Sequence, residues 1–223
     1  MKTVCRRGVV LLLAAAATVV GAVLLIRGLA HQATAPAVHI AGQLNDPAPR
    51  ADPNSKPNTV GSARPLGPSA PTRLVIRALG IDTAVNPIGL NPDGTLAVPQ
   101  PGPHLNEAAW FKNSPTPGQP GASIIEGHVD SVEGTSVFWR LGDIKPGDQI
   151  TVFRRDGSQL VFTVNAVRDY PKSRFPTMSV YGGDLSHPTL RLITCSDFNP
   201  AIHHHTGDEV VYAHLTRILQ PPG

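Results

Sequence analysis

From Thr72 onward, apolar residues come in short β-branched runs bounded by Gly, Pro, Asn and Asp. "RLVIRALGIDTAV" is such a run, broken at Gly80. "NPDG" (Asn91–Gly94) reads as a turn before the short run "TLAVP", and "ASIIEGHVD" as a buried run ending in polar residues. The clearest local signal is "QITVFRRDGSQLVFTVNAV", in which two apolar-rich segments flank Asp156-Gly157, a dipeptide favoured in type I′ hairpin turns. "TLRLITC" and "EVVYAHLTRIL" add two more strands, and "SVFWRLGDI" holds a short helical turn. Seven or eight short strands with little helical periodicity predict an all-β barrel or sandwich. No internal repeat is present.

The N-terminal third has a different texture. Gly8 to Ile26 is an uncharged stretch of 19 residues, which as a helix would span ~28 Å, close to the hydrocarbon thickness of a bilayer. Lys2, Arg6 and Arg7 precede it and Arg27 follows. That bias predicts a cytoplasmic N-terminus with the rest of the chain outside. A cleaved signal peptide is the rival reading, but its apolar region would be shorter, and Ala33-Thr34-Ala35 is followed by Pro36. His31 to Pro71 contains eight prolines and little apolar periodicity, the composition of a semi-extended spacer. The expected organisation is a cytoplasmic segment 1–7, a transmembrane anchor 8–26, an extracellular linker 27–71 and a folded domain 72–223.

Charge changes this picture little. Removing Lys2, Arg6, Arg7 and Arg27 from the 19 basic residues leaves 15 against 16 acidic ones, a formal charge of −1 for residues 28–223. The basic balance belongs to the membrane flank, so no nucleic-acid partner is expected. The chain has only two cysteines, Cys5 and Cys195, so a disulfide framework does not organise the fold.

Candidate chemistry concentrates in "LITCSDFNPAIHHHTG", Leu192 to Gly207. Cys195 ends an apolar run, which predicts a strand terminus with Ser196, Asp197 and Asn199 opening a loop. Three readings compete. Cys195 with His203 and His205 could bind zinc, although the spacing is unlike that of structural zinc sites. Cys195 could be a nucleophile, with His128 at the end of "SIIEGHVD" as its acid or base. The default for a lone thiol is inert packing.

"LRLITC" followed by the strand "VVYA" resembles the TLxTC signature of the sortases, transpeptidases of Gram-positive cell surfaces. Leu192, Thr194 and Cys195 match it, and Arg191 stands where its first Thr would be. "EGHVD" is similar to the segment that carries the family's catalytic His. "WFKNSPTPGQPGASIIEGHVDS", "VFWRLGDIKPGDQITVFRRDG" and "FPTMSVYG" look closest to the actinobacterial class F group, with class E the nearest rival. The resemblance covers about Arg73 to Leu219.

It implies a closed eight-stranded sortase-type β-barrel with short helical turns. It also implies a two-step acyl transfer without a cofactor. Cys195 would cleave an LPXTG-like sorting-signal peptide of a surface protein, forming a thioester. His128 would act as general acid and base, and a peptidoglycan-precursor amine would take the acyl group.

One element of the pattern is missing. The family carries an Arg roughly a dozen positions after the Cys, where this chain has His204-His205-Thr206-Gly207-Asp208. His204, His205, Arg174 of the "SRFP" loop and Arg191 are the candidate substitutes. Arg191 shares the face of Cys195 but lies ~13 Å along the strand. Asp130 could orient His128 or simply cap a loop. Trp110, Phe138 and Trp139 read as core aromatics. Two alternatives to the transpeptidase remain open: a sortase-like module binding peptide or wall with weak or lost activity, and a zinc hydrolase.

Overall fold

The computed structural model describes residues 65–131, 134–183 and 185–219. The expected membrane segment 8–26, Cys5 and the linker as far as residue 64 lie outside the described residues. Among the described residues no helix is long and apolar enough to cross a membrane.

The alternating runs become strands because each has an apolar face to bury. In β2 (Ile81–Ile88), Ile81, Thr83 and Val85 point inward while Asp82 and Ala84 face water. The other strands are β1 (Pro71–Ile76), β3 (Ala108–Phe111), β4 (Gly121–Glu126), β5 (Asp130–Ser131), β6 (Gly134–Thr135), β7 (Gln149–Arg154), β8 (Gln159–Pro171), β9 (Pro188–Asn199) and β10 (His204–Leu219). Eight of them close a barrel in the order β1-β2-β3-β4-β9-β10-β8-β7, and β5 with β6 forms a small separate ribbon. Closure removes the exposed strand edges that an open sheet would present. The expected eight-stranded barrel with short helical turns is therefore the observed fold.

Two pairings, β2 with β3 and β4 with β9, are parallel; the other barrel pairings are antiparallel. The barrel is filled by Leu74, Ile76, Ile125, Phe138, Ile150, Val152, Phe162, Leu190 and Leu192, among others. Each such side chain contributes roughly 1.5–3 kcal/mol through burial. A second cluster, Ala122, Ile124, Ile193, Val210 and Val180, covers the outer face of β4, β9 and β10. Val180 comes from a single π-helical turn, Met178–Gly182. With apolar layers on both sides, every residue of β4 is buried. This explains why "GASIIE" reads as a continuous run rather than an alternation.

Three local expectations change. First, Asp156-Gly157 does not form a type I′ turn. Gly157 has φ 84° but Asp156 is not in the left-handed region. Arg154 accepts from the Gly157 N–H at 3.0 Å and donates to the Ser158 carbonyl at 2.9 Å. The connection is a three-residue loop whose glycine forms a bulge. Second, "TLAVP" is not a strand. It makes one isolated bridge, Leu90 with Leu96, and buries Leu96. Third, Cys195 does not end its strand. β9 continues to Asn199, and the polar residues beyond Cys195 pair with the start of β10. A two-stranded ribbon facing water needs no apolar pattern, so the sequence there looks like loop.

Residues 65–70 pack on the barrel, with the Leu66 N–H bonded to the Gly118 carbonyl at 2.9 Å. The buried Arg154 reaches the Gly67 carbonyl through Nη2 at 2.5 Å.

Candidate active site

β4 and β9 run parallel with Glu126 opposite Ile193. Their pairing outlasts β4: the Gly127 N–H reaches the Ile193 carbonyl at 3.2 Å, and Thr194 Oγ1 donates to the Gly127 carbonyl at 2.9 Å. Continuing this register by two residues puts His128 level with Cys195. The two signature residues thus have structural work: Leu192 is fully buried in the barrel, and Thr194 ties β9 to the turn before His128.

Gly127 is required by close packing. A Cβ there would meet Val137 Cγ1 at 2.6 Å and Phe138 Cδ2 at 2.8 Å. The next residue is held on the same side, because the Phe138 N–H donates to the His128 carbonyl at 3.0 Å. Gly127→Ala should cost about 1–3 kcal/mol through overpacking. It should also lower activity by displacing His128. Thermal unfolding is expected to show a Tm lower by several degrees; an unchanged Tm would refute the packing argument.

The His128 ring is anchored by Nε2, 2.9 Å from the Pro99 carbonyl. A carbonyl only accepts, so Nε2 carries the proton and the lone pair of the neutral ring is on Nδ1. Among the described residues, the hydrogen-bonding partner of the thiol is not His128. It is Lys172, whose Nζ lies 3.4 Å from Cys195 Sγ. Lys172 opens a 3-10 turn, Lys172–Arg174, directly after β8. The same ammonium is 3.8 Å from Oδ1 of Asp208. Asp208 is the cross-strand partner of Cys195 on β10.

Burial governs the electrostatics. It pushes the Cys195 thiol above its ordinary value; Lys172 opposes the rise, and the carboxylates of Asp208 and Asp130 add to it. Desolvation raises Asp208 to about 6 against the pull of Lys172 and His205. Its Oδ2 is buried without a hydrogen-bond partner. Glu126 nearby is pushed well above the usual carboxylate range, first by burial and then by Asp208.

The predicted helpers are distributed as follows. Asp130 bonds His205 Nε2 at 3.1 and 3.2 Å, so it orients His205 rather than His128. His205 also packs edge-on against Phe198. His204 starts β10 opposite Asn199, four rungs from the Cys195–Asp208 pair. Arg191 is buried, stacks 4.5 Å over the Tyr212 ring and bonds the Leu190 carbonyl. Arg174 is exposed on the 3-10 turn. None of these three is brought to the sulfur. At Gly207 a Cβ would come within 2.6 Å of Asp197 Oδ2 and 2.7 Å of Ser196 Oγ, so a side chain there would require those two side chains to move. Among the aromatics, Phe138 is core and Trp110 is buried, but Trp139 is exposed. Among the described residues no group of three His, Cys, Asp or Glu side chains could hold a metal ion.

Sequence reasoning missed Lys172. Arg174, one of the four candidate substitutes, lies two residues on in the same turn. In a 3-10 turn of three residues per turn, positions two apart face different directions.

A family model described as "Sortase domain" matches residues 74–216. Sortase A from Corynebacterium diphtheriae is a structural neighbour at TM-score 0.52 and 19% identity. That alignment covers 70% of this chain and 64% of the other, just under two thirds of its length. Sortase C-1 from Actinomyces oris aligns at TM-score 0.52 and 18% identity, over 68% of this chain and 76% of that one. Sortase A of Listeria monocytogenes aligns at TM-score 0.51 and 16% identity, over 70% and 92%. At these identities the structural likeness speaks for the fold. A comparison with curated protein sequences gave no match.

Proposed function

The chain belongs to the sortase family, whose members are cysteine transpeptidases, and from that premise we propose that it is a transpeptidase of class F type acting outside a Gram-positive, actinobacterial cell. Residues 8–26 would anchor it, 27–71 would space it from the membrane, and the domain from residue 72 would do the chemistry. The substrate is an LPXTG-like sorting signal, and the acceptor is an amine of a peptidoglycan precursor.

The observation that supports this reading is the register of β4 and β9: carried two residues past the end of β4 at Glu126, it brings His128 level with Cys195. Cys195 stands on a strand, and His128, just past the end of β4, is tied through its carbonyl to Phe138 and through its ring to Pro99, so both are held by the scaffold. Cys195 gives its proton to His128 and attacks the peptide carbonyl. The tetrahedral adduct collapses, the leaving amine takes the proton from His128, and a thioester remains. An incoming amine then loses its proton to His128 and displaces the thiolate. No cofactor takes part. The Asp130–His205 pair borders the site and bears on the charges around the thiol.

The test is covalent trapping. A sorting-signal mimic ending in a thiol-reactive group should give one adduct, and peptide mass mapping should locate it at Cys195. An adduct elsewhere, or none while a known sortase reacts, would reject the assignment. The second outcome would favour a binding module that does not turn over.

A further inference from the structure

The family pattern leads one to expect an arginine after the cysteine, and here the corresponding stretch of β10 offers no cation at the sulfur. Gly207, opposite Ser196, has no side chain, and Asp208, opposite Cys195, carries the opposite charge. The positive charge at the thiol instead arrives from the other side, on the turn that follows β8. Lys172 Nζ is 3.4 Å from Sγ and 3.8 Å from the Asp208 carboxylate.

We propose that Lys172 is a catalytic residue of this site, the ammonium that stabilises the Cys195 thiolate and then the oxyanion formed on attack. The inference rests on Cys195 being the nucleophile. In the attack step the S–H proton goes to His128 Nδ1 and the sulfur lone pair forms the S–C bond. The carbonyl π pair moves onto oxygen, one bond beyond the carbon that the sulfur has joined. Lys172 keeps its proton throughout and compensates a negative charge that moves a short distance.

The surroundings suit this role. The Lys172 side chain is 18% exposed and Asp208 only 3%, so the pair works where water screens little. Asp208 holds the ammonium in place while its own charge opposes thiolate formation. The charged and titratable groups around the sulfur are Lys172 from the turn after β8, Asp208 and His205 from β10, Asp130 from β5, Glu126 at the end of β4 and His128 just beyond it. Lys172 is the one that lowers the energy of the thiolate through a direct hydrogen bond. A lysine suits a charge that moves, because its ammonium is a compact donor on a flexible stem.

The experiment measures the rate of Cys195 alkylation by iodoacetamide against pH in the full-length protein, for wild type, Lys172→Met, Lys172→Arg and Asp208→Asn. Lys172→Met is expected to shift the alkylation profile upward by about one unit or more. It should also reduce peptide cleavage by roughly 10–10³-fold. Lys172→Arg should restore most of both. Asp208→Asn should shift the profile downward, a reversal that a merely structural role would not produce. An unshifted profile in a Lys172→Met protein with wild-type Tm would overturn the proposal. If Lys172→Met unfolds, Lys172→Gln is measured in its place, and an unshifted profile in that folded variant overturns the proposal. Alkylation needs no peptide substrate, so a shifted profile in a protein that cleaves no sorting signal would keep the lysine and reject the transpeptidase.

Discussion

Cys195→Ala should abolish cleavage of a fluorogenic LPXTG-type peptide while leaving the barrel folded. The sulfur is half-buried on the outer face of β9, beside the second apolar cluster rather than in the barrel interior. Its loss removes little packing, and the Tm should stay within a few degrees of wild type. The chemistry, in contrast, loses its bond-forming atom, and a fall on the order of 10⁶-fold is expected, the size seen when a catalytic nucleophile is removed. His128→Ala should cost about 10²–10⁴-fold, the usual range for a positioned acid–base group. Because the two residues act as a unit, the double variant should be no worse than Cys195→Ala alone. Undiminished cleavage by Cys195→Ala would remove the assigned nucleophile, and multiplicative losses would show that His128 works in a separate step.

The second large effect is on stability. Folding raises Asp208 from 3.8 to about 6 and Glu209 from 4.5 to about 7, in both cases chiefly by desolvation. Between about pH 4 and 7 the native protein therefore holds protons that the unfolded chain has released. Stability is greatest on the acid side of this window and falls as pH rises through it. Each group accounts for on the order of 3 kcal/mol by the size of its shift. Glu126, shifted in the same direction, deepens the loss. Asp82, Glu107 and Asp156 are lowered by their partners. They act the other way below about pH 4.5, where their protonation weakens the fold. Thermal unfolding should give a higher Tm near pH 5 than at pH 8, and Asp208→Asn should flatten the difference by raising stability at pH 8. A Tm that climbs from pH 5 to pH 8 would contradict this account. The cost at Asp208 is local to the site that uses it, a pattern common where function and stability compete.

How much of this was legible in the sequence follows from what each signal depends on. The barrel was readable because alternation and turn residues act locally, as in β2 and the β7–β8 hairpin. The end of β4 and the Cys195 run were readable as unbroken apolar stretches, so only the pairing of β4 with β9 was needed to bring His128, just past the end of β4, level with Cys195. The extended ends of β9 and β10 were not readable. They present no buried apolar face, and the strands are tied through polar groups, Thr206 Oγ1 donating to the Asp197 carbonyl. Lys172 was hidden by topology. It lies 23 residues from Cys195 in the chain, and only the order β9-β10-β8 returns the end of β8 to the sulfur. The sequence leaves Asp130 between orienting His128 and capping a loop; the β5–β6 ribbon sets it against His205 of β10 instead.

The ribbon of β9 and β10 beyond Cys195 has one more consequence. Asn199 faces His204 at its outer end, and Cys195 faces Asp208 nearer the barrel. Residues 200–203 form the tip. Adding or deleting residues at that tip changes the count between the cysteine and its opposite number but leaves them on the same rung. Distance along the chain is thus an odometer, sensitive to every detour, whereas the hydrogen-bonded ladder is a ruler. Searching for a missing arginine by counting a dozen residues from the cysteine reads the odometer. The ruler shows a carboxylate on the facing rung and leads to the lysine beside it.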